Sequence, residues 1–202
     1  MSLCERERRL VRLFAAAVLG LWPEVRTVRE AAPGGEPDRT WREAILMLHL
    51  FAGVPRQVQT YEVLERAGGL GTRGADEVAA SGDLPREGRA LFERIYGANA
   101  PAVAARLSSF HEDFAAWVLG HAYGRVLARP GLTADRRELL AVAALSVLGA
   151  ERQLASHARG AVRCGASPEE LSEVLDVLDG LIEPEHSKRA REVLSRFGKA
   201  GP

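Results

Sequence analysis

His157 is the residue in this sequence whose type and setting most directly suggest chemistry. It lies in a helix-forming stretch that follows a long apolar run ending at Gly149. An imidazole changes its charge near neutral pH and commonly moves protons in enzymes. The apolar neighbours Leu154 and Ala158 would equally suit a structural histidine on a packed helix. The residue types alone leave both interpretations open.

The remaining histidines and the cysteines do not form a recognisable site in the sequence. Cys4 and Cys164 are too far apart to indicate a disulfide framework, a metal site or a Cys-x-x-Cys pair. We therefore expect free thiols and a cytoplasmic protein. Neither a His-Glu-x-x-His motif nor a histidine pair at i, i+4 is present, so no metal site is expected. The other histidines are His49, His111, His121 and His186.

Composition narrows the classes of partner. The 202 residues are 47% hydrophobic and 27% charged, which is typical of a folded globular chain. Basic and acidic residues balance at 27 each, whereas a sequence-independent nucleic-acid binder needs a positive surplus. A DNA-binding regulator is an alternative class, disfavoured by this balance and by the lack of a recognisable helix-turn-helix. The N-terminal apolar run is too short to span a bilayer, so no membrane association is expected.

Helices must position whatever site exists. Apolar residues recur at helical spacing and no segment shows a strand pattern, so the sequence predicts an all-α fold. Thr40–Glu43 and Ser167–Glu170 match the capping box, Thr133 is a suitable N-cap, and Gly53–Pro55 predicts a helix break. The predicted helices cover 5–21, 22–32, 40–51, 55–67, 86–96, 101–128, 134–148, 151–164, 168–181 and 185–197.

The chain also resembles itself. Aligning 8–32 with 137–161, and 43–68 with 173–198, brings together identical residues at 14 of 51 positions and preserves the order of features. This pattern predicts an internal duplication. The predicted division is a degenerate first repeat at 1–70, a glycine-rich linker at 71–88 and a second, complete unit at 89–202.

The stretch from Tyr123 to Leu175 resembles the carboxymuconolactone decarboxylase family, which also contains the AhpD-like alkylhydroperoxidases. The matching features are Arg-Pro-Gly-Leu beginning at Arg129, His157 in the following helix, and Gly-Ala-Ser-Pro-Glu-Glu beginning at Gly165. In the first half, 42–64 resembles the family's later helix pair with its Gly-x-Pro junction. The resemblance implies an AhpD-like helical bundle, here made of two related halves.

The peroxidase branch of this family uses a Glu…Cys-x-x-Cys-x-x-x-His pattern, in which two thiols reduce the peroxide while Glu and His move protons. Carried onto this sequence, the glutamate is Glu138 and the histidine is His157. The two thiol positions are occupied by Ala150 and Gln153. An AhpD-like alkylhydroperoxidase activity is therefore disfavoured and is kept as an alternative function.

Resemblance to the decarboxylase branch implies a cofactor-free lyase that acts on a small carboxylated lactone. Loss of carbon dioxide leaves an enolate-like charge, which must be stabilised and then protonated. The resemblance implies His157 as the acid with Glu138 beside it, and Arg129 and Arg159 as groups that hold a carboxylate. Arg125 departs from the pattern, since the family often has an acidic residue at this position.

The two halves differ in a way that predicts one shared pocket. The first half lacks the proton-handling pair, because the counterparts of Glu138 and His157 are Arg9 and Val28. The second half lacks the Gly-x-Pro junction. We therefore predict that His157 from one half faces a substrate-binding wall from the other. The predicted wall residues are Phe51, Gly53 and Pro55.

The family resemblance also sets expectations for assembly and cofactors. It implies a ring-like homo-oligomer, a trimer or a hexamer, that binds a small molecule and needs no cofactor or metal. A non-catalytic family member, in which both sites have decayed, is the remaining alternative.

Overall fold

The described part of the chain is residues 2–75, 77 and 83–197 of a computed structural model. These residues form helices and contain no strand. The predicted all-α class is therefore confirmed. In chain order the helices are α1 (Glu5–Leu19), α2 (Trp22–Glu30), α3 (Arg39–Leu46), α4 (His49–Arg66), α5 (Leu84–Tyr96), α6 (Ala100–Phe110), α7 (Glu112–Trp117), a π-helix (Val118–Leu127), α8 (Ala134–Val147), α9 (Glu151–Cys164), α10 (Pro168–Val177) and α11 (Pro184–Leu194).

The core is centred on α1 and α8, which pack against each other. Their facing side chains, including Leu13, Phe14 and Val142, have no exposed surface. Burial of apolar surface is the dominant stabilising term in folding, so this helix pair forms the frame on which the other helices rest. Helix α2 packs against α1, and α9 packs against α8 in the same order.

Ion pairs join the two halves of the predicted repeat at positions that the alignment makes equivalent. In α1 and α8 the Nε atoms of Arg8 and Arg137 each donate to the carbonyl five residues earlier, both at 3.2 Å. Arg8 then pairs with Glu173 at 3.1 Å, and Arg137 pairs with Glu43 at 3.0 Å. The arginine of each half therefore binds the glutamate of the other half. The alignment that predicts the repeat places Arg8 opposite Arg137 and Glu43 opposite Glu173.

The ends of α1 and α8 show a second correspondence. Gly20 and Gly149 have φ values of +75° and +65°, a left-handed conformation that favours glycine. A Cβ atom on Gly20 would meet the guanidinium of Arg56 in α4, and one on Gly149 would meet the imidazole of His186 in α11. The same tight approach thus occurs once in each half.

The sequence prediction of one helix over 101–128 is wrong. His111 has an extended backbone (φ −170°, ψ 134°), and its Nδ1 accepts a hydrogen bond from the backbone N–H of Asp113 at 3.1 Å. This histidine therefore ends α6 and caps α7. The following π-helix packs against α5 so closely that a Cβ on Gly88 would lie 2.6 Å from the backbone nitrogen of Gly124.

Helix starts and breaks were predicted with mixed success. The Ser167–Glu170 capping box is present and the break at Gly53 is confirmed, with φ +78° and ψ 166° inside α4. The Thr40–Glu43 box is wrong. Asp38 caps α3 by accepting from the N–H of Thr40, while the carboxylate of Glu43 is held by two arginines.

The predicted linker 71–88 lies only partly within the described residues, which omit 76 and 78–82; 198–202, at the end of the predicted second unit, also lie outside them. Helix α5 begins at Leu84, so the predicted linker extends too far. Within the described ranges, no helix is both long and apolar enough to cross a membrane.

Candidate functional site

An imidazole–carboxylate pair joins α8 and α9. The Nδ1 atom of His157 lies 2.9 Å from Oε2 of Glu138. The histidine side chain is 15% exposed, whereas the glutamate side chain is 1% exposed. The imidazole is therefore partly exposed, and the carboxylate that holds it is buried.

Gly160 makes room for this carboxylate. It lies three positions after His157 on α9, so both residues belong to the same helix face. A Cβ atom at Gly160 would stand 2.5 Å from Oε2 of Glu138 and 2.9 Å from Cγ2 of Ile95. This residue was not among those predicted from the sequence, although a glycine inside an amphipathic helix is a recognised sign of close approach.

The pair favours the protonated form of His157. Burial lowers the pKa of His157, but the negative charge of Glu138 and the hydrogen bond to it raise it, and the net shift is upward from 6.5. The imidazolium form therefore persists to a higher pH than in an isolated histidine. A group in this state can donate a proton from Nε2, the ring nitrogen that does not face Glu138.

An aromatic cluster lies behind Glu138. Tyr123 and Tyr96 are joined through their hydroxyls at 3.2 Å, and both rings contact Phe92. Burial, followed by the nearby Tyr96 and Glu138, raises the pKa of Tyr123 well above 10. These hydroxyls therefore stay protonated. Sequence reasoning missed the cluster, because its members come from α5 and the π-helix and share no spacing motif.

Phe51 reaches His157 from the first half of the chain. The two ring centroids are 6.2 Å apart at an interplanar angle of 69°, and Phe51 also packs edge-on against Phe14 in the core. Two residues further on, Gly53 breaks α4 and redirects the chain at the exposed Pro55. The expected proximity of Phe51 to His157 is thus found. The substrate-binding roles of Phe51, Gly53 and Pro55 remain predictions.

The structure does not place Arg129 beside His157. The guanidinium of Arg129 donates two hydrogen bonds to Glu43, at 2.9 and 2.8 Å, so the Nε and Nη2 donors already bind a carboxylate. It lines a cleft of about 630 Å³ with residues such as Tyr61 and Leu70, and His157 is not part of that lining. The predicted clamp role of Arg129 therefore has no support in the geometry.

Arg159 also points elsewhere. It is exposed and lies two positions after His157 on α9, a spacing that places the two side chains on different helix faces. Its guanidinium carbon lies 5.8 Å from the ring centroid of Phe197. Neither of the two predicted arginines is therefore brought to the imidazole.

The cysteines stay apart. Cys4 is an exposed free thiol, and Cys164 is a buried free thiol near the end of α9. Burial raises the pKa of Cys164, which disfavours the reactive thiolate. Among the described residues, no group of three or more histidine, cysteine, aspartate and glutamate side chains is arranged to hold a metal ion.

A second histidine pair, missed by sequence reasoning, links α4 to the π-helix. The Nε2 atoms of His49 and His121 are 2.8 Å apart, and their ring centroids are 5.1 Å apart. The two residues are separated by 72 positions, so no local pattern could have connected them. His121 lies on the π-helix, which packs against α5 and α7.

The imidazole–carboxylate pair lies in a part of the chain that is similar to a known protein family. Residues 112–193 match the model of the Carboxymuconolactone decarboxylase family, and this range includes Glu138 and His157. The chain is 36% identical over 69 residues to 4-carboxymuconolactone decarboxylase of Acinetobacter baylyi, covering 34% of this chain and 52% of the relative. It is 28% identical over 135 residues to Peroxisomal protein 2 of Schizosaccharomyces pombe, covering 64% of this chain and 62% of that relative. The matches thus span about half to three fifths of these relatives.

Proposed function

We propose that the protein is a cofactor-free lyase that removes carbon dioxide from a small carboxylated substrate such as a carboxylated lactone. The observation that carries this proposal is the His157–Glu138 pair, in which the imidazole is partly exposed and the carboxylate is buried. Its position inside the segment that matches the decarboxylase family, and the resemblance to a relative named 4-carboxymuconolactone decarboxylase, support the choice of reaction.

The proposed reaction needs one proton donor at the right moment. The bond between the substrate carbon and its carboxylate breaks, carbon dioxide leaves, and the electron pair stays on the substrate as an enolate-like anion. The imidazolium of His157 then gives its Nε2 proton to that carbon, forming the new C–H bond. The neutral imidazole regains a proton from solvent, which the 15% exposure of its side chain permits.

Glu138 acts in this scheme as a positioning residue. Its carboxylate keeps the ring of His157 in one orientation and favours the charged imidazolium, which in turn stabilises the developing negative charge of the substrate. Since Glu138 is fully enclosed, it does not compete for contact with the substrate. Phe51, edge-on to the imidazole, supplies an apolar wall.

A decarboxylation assay with 4-carboxymuconolactone tests the proposal. Wild-type protein is compared with His157→Gln. His186→Gln is the matched control, because His186 is likewise on a helix but its ring contacts a main-chain carbonyl and not a carboxylate. We expect turnover in the wild type and in the control, and its loss in His157→Gln. Equal activity of wild type and His157→Gln would refute the role of His157. An inactive wild type would contradict this substrate and favour a non-catalytic protein.

The alternative alkylhydroperoxidase activity lacks structural support. That chemistry needs two thiols near the histidine, and the corresponding positions are Ala150 and Gln153 at the start of α9. The thiol of Cys164 lies nearly two turns beyond His157 and has a raised pKa. A peroxide-consumption assay with a thiol reductant is expected to show no activity above that of a Cys4→Ser, Cys164→Ser variant.

We propose further that the protein forms a homo-oligomer, either a trimer or a hexamer. Large apolar side chains are exposed on α6 and α7, including Phe110 at 59% and Trp117 at 67%. Apolar patches of this kind are typical of protein–protein contact surfaces. Light scattering coupled to size exclusion is expected to give a mass three or six times 21.9 kDa. A monomeric mass would refute this assembly.

A further inference from the structure

We propose that His49 and His121 form a binding site for a borderline divalent transition metal such as zinc, nickel or copper. The site is separate from the imidazole–carboxylate pair and does not depend on the proposed decarboxylation. It rests on the facing Nε2 atoms, 2.8 Å apart, at the junction of α4 and the π-helix.

His49 is fixed in the tautomer that a metal ligand requires. Its Nδ1 lies 2.8 Å from the carbonyl oxygen of Leu46, and because a carbonyl only accepts, Nδ1 must carry the hydrogen. In the neutral ring the Nε2 lone pair is then free and directed at His121. A histidine whose second nitrogen donates to a main-chain carbonyl is the usual arrangement around bound metals.

Gln57 holds this histidine from a second side. Its side-chain oxygen accepts the backbone N–H of His49 at 3.0 Å, and its nitrogen lies 3.4 Å from the carbonyl of Leu46. These bonds bridge the break at Gly53 and tie both sections of α4 to the end of α3. The ring of His49 is therefore positioned before any ligand arrives.

His121 is delivered by the π-helix and remains exposed. Such helices are rare and are often found at functional sites. A neutral His121 donates its Nε2 hydrogen to His49; moving that hydrogen to Nδ1 frees both Nε2 atoms for a metal without releasing a proton.

The geometry needs little adjustment to admit a cation. Nitrogen–zinc distances are ~2.0–2.1 Å, so two imidazoles in a tetrahedral site stand roughly 3.3 Å apart. The observed separation is 2.8 Å, and a shift of about 0.5 Å at the exposed His121 is sufficient. Imidazole nitrogens suit zinc, copper and nickel better than calcium or magnesium. Water would complete the coordination, since the site lies at the surface.

Calorimetric titration of the metal-free full chain with zinc chloride tests this site. Cys4 is exposed and could bind zinc itself, so all titrations use a Cys4→Ser background. We expect one zinc ion per chain, and at least about tenfold weaker binding in His49→Gln and in His121→Gln. The control His186→Gln should bind as tightly as the parent, because its ring also contacts a carbonyl but has no imidazole partner.

Two further measurements keep the test decisive. If a glutamine variant fails to fold, NMR of the parent replaces it, and zinc should shift the ring signals of His49 and His121 but not those of His186. Titration of His157→Gln then separates this site from the His157–Glu138 pair. Lack of saturable binding, unchanged affinity in both variants, or loss of binding only in His157→Gln would each overturn the proposal.

Discussion

The two halves of the predicted repeat have matching contacts and differ in chemistry. In both, an arginine binds the glutamate of the other half, and the central helix is followed by a glycine in the left-handed conformation. At the position of Glu138, however, the first half has Arg9, which makes two 2.7 Å hydrogen bonds to Glu36. At the position of His157 it has the buried Val28.

This difference shows that the frame and the site are separable. The crossed ion pairs and the glycine ends occur in both halves, so they belong to the architecture. The imidazole–carboxylate pair and the glycine that admits it occur only in the second half, since the counterpart of Gly160 is Ala31. Residues unique to one half are therefore where function is expected, and residues common to both are where stability is expected.

The largest effect is expected from the site itself. His157→Gln should lower the decarboxylation rate by about 10²–10⁴-fold, the range for loss of a general acid. Val28→Ala, at the corresponding position of the first half, should leave the rate per folded molecule unchanged. The check is steady-state kinetics on both variants, each corrected for its folded fraction. A comparable fall in the rate of both variants would contradict the assignment of the proton donor to the second half alone.

The crossed ion pairs should differ in strength although they are equivalent in position. Glu43→Gln leaves the guanidinium of Arg137, 1% exposed, without its countercharge, and should lower the free energy of unfolding by about 3–5 kcal/mol. Glu173 is more exposed, so Glu173→Gln should lower it by roughly 1 kcal/mol or less. Urea denaturation of the two variants measures the difference. Equal losses would contradict the burial argument.

Gly160, which leaves room for the carboxylate of Glu138, can be compared with Ala31 at the equivalent position of the first half. Gly160→Ala places a Cβ against Glu138 and Ile95, and should cost about 1–3 kcal/mol of stability through overpacking. The reverse change at the equivalent position, Ala31→Gly, should cost about 1 kcal/mol or less. Thermal unfolding followed by circular dichroism compares them. If the Gly160→Ala variant is as stable as the wild type, the carboxylate of Glu138 can shift to accommodate the added Cβ, and the overpacking argument is wrong.

The smallest effect is expected in the pH dependence of stability. Because folding raises the pKa of His157 above 6.5, its contribution is complete below about pH 6.5 and is lost as the pH rises through the folded pKa. The stability advantage of wild type over His157→Gln should therefore be greatest near pH 6 and smaller at pH 9. Urea denaturation at several pH values measures this. An advantage that grows with pH would have the wrong sign.

Much of the fold was predictable because it is local. Apolar periodicity located the helices, the Ser167–Glu170 pattern located a start, and Gly53 located a break. The failures have non-local causes. Glu43 does not form its predicted capping box, because its carboxylate binds Arg129 and the buried Arg137, which are 86 and 94 positions away. His111 was the exception, since its extended backbone is a local choice that apolar spacing does not encode.

The site was predictable only where a family resemblance supplied it. Glu138 and His157 are 19 positions apart, and their contact at 2.9 Å follows from the packing of α8 on α9. The arginines were chosen by motif position, and a motif does not show that Glu43 already binds Arg129. The tyrosine cluster and the His49–His121 pair join segments that carry no common pattern, so only the folded chain reveals them.

The charge on one imidazole ring tests the whole scheme most directly. An NMR titration of His157 in the wild type should give a midpoint above 6.5, and Glu138→Gln should bring that midpoint down, because burial then acts without the opposing carboxylate. A wild-type midpoint at or below 6.5, or one that Glu138→Gln leaves in place, would show that the second half holds no proton-donating pair.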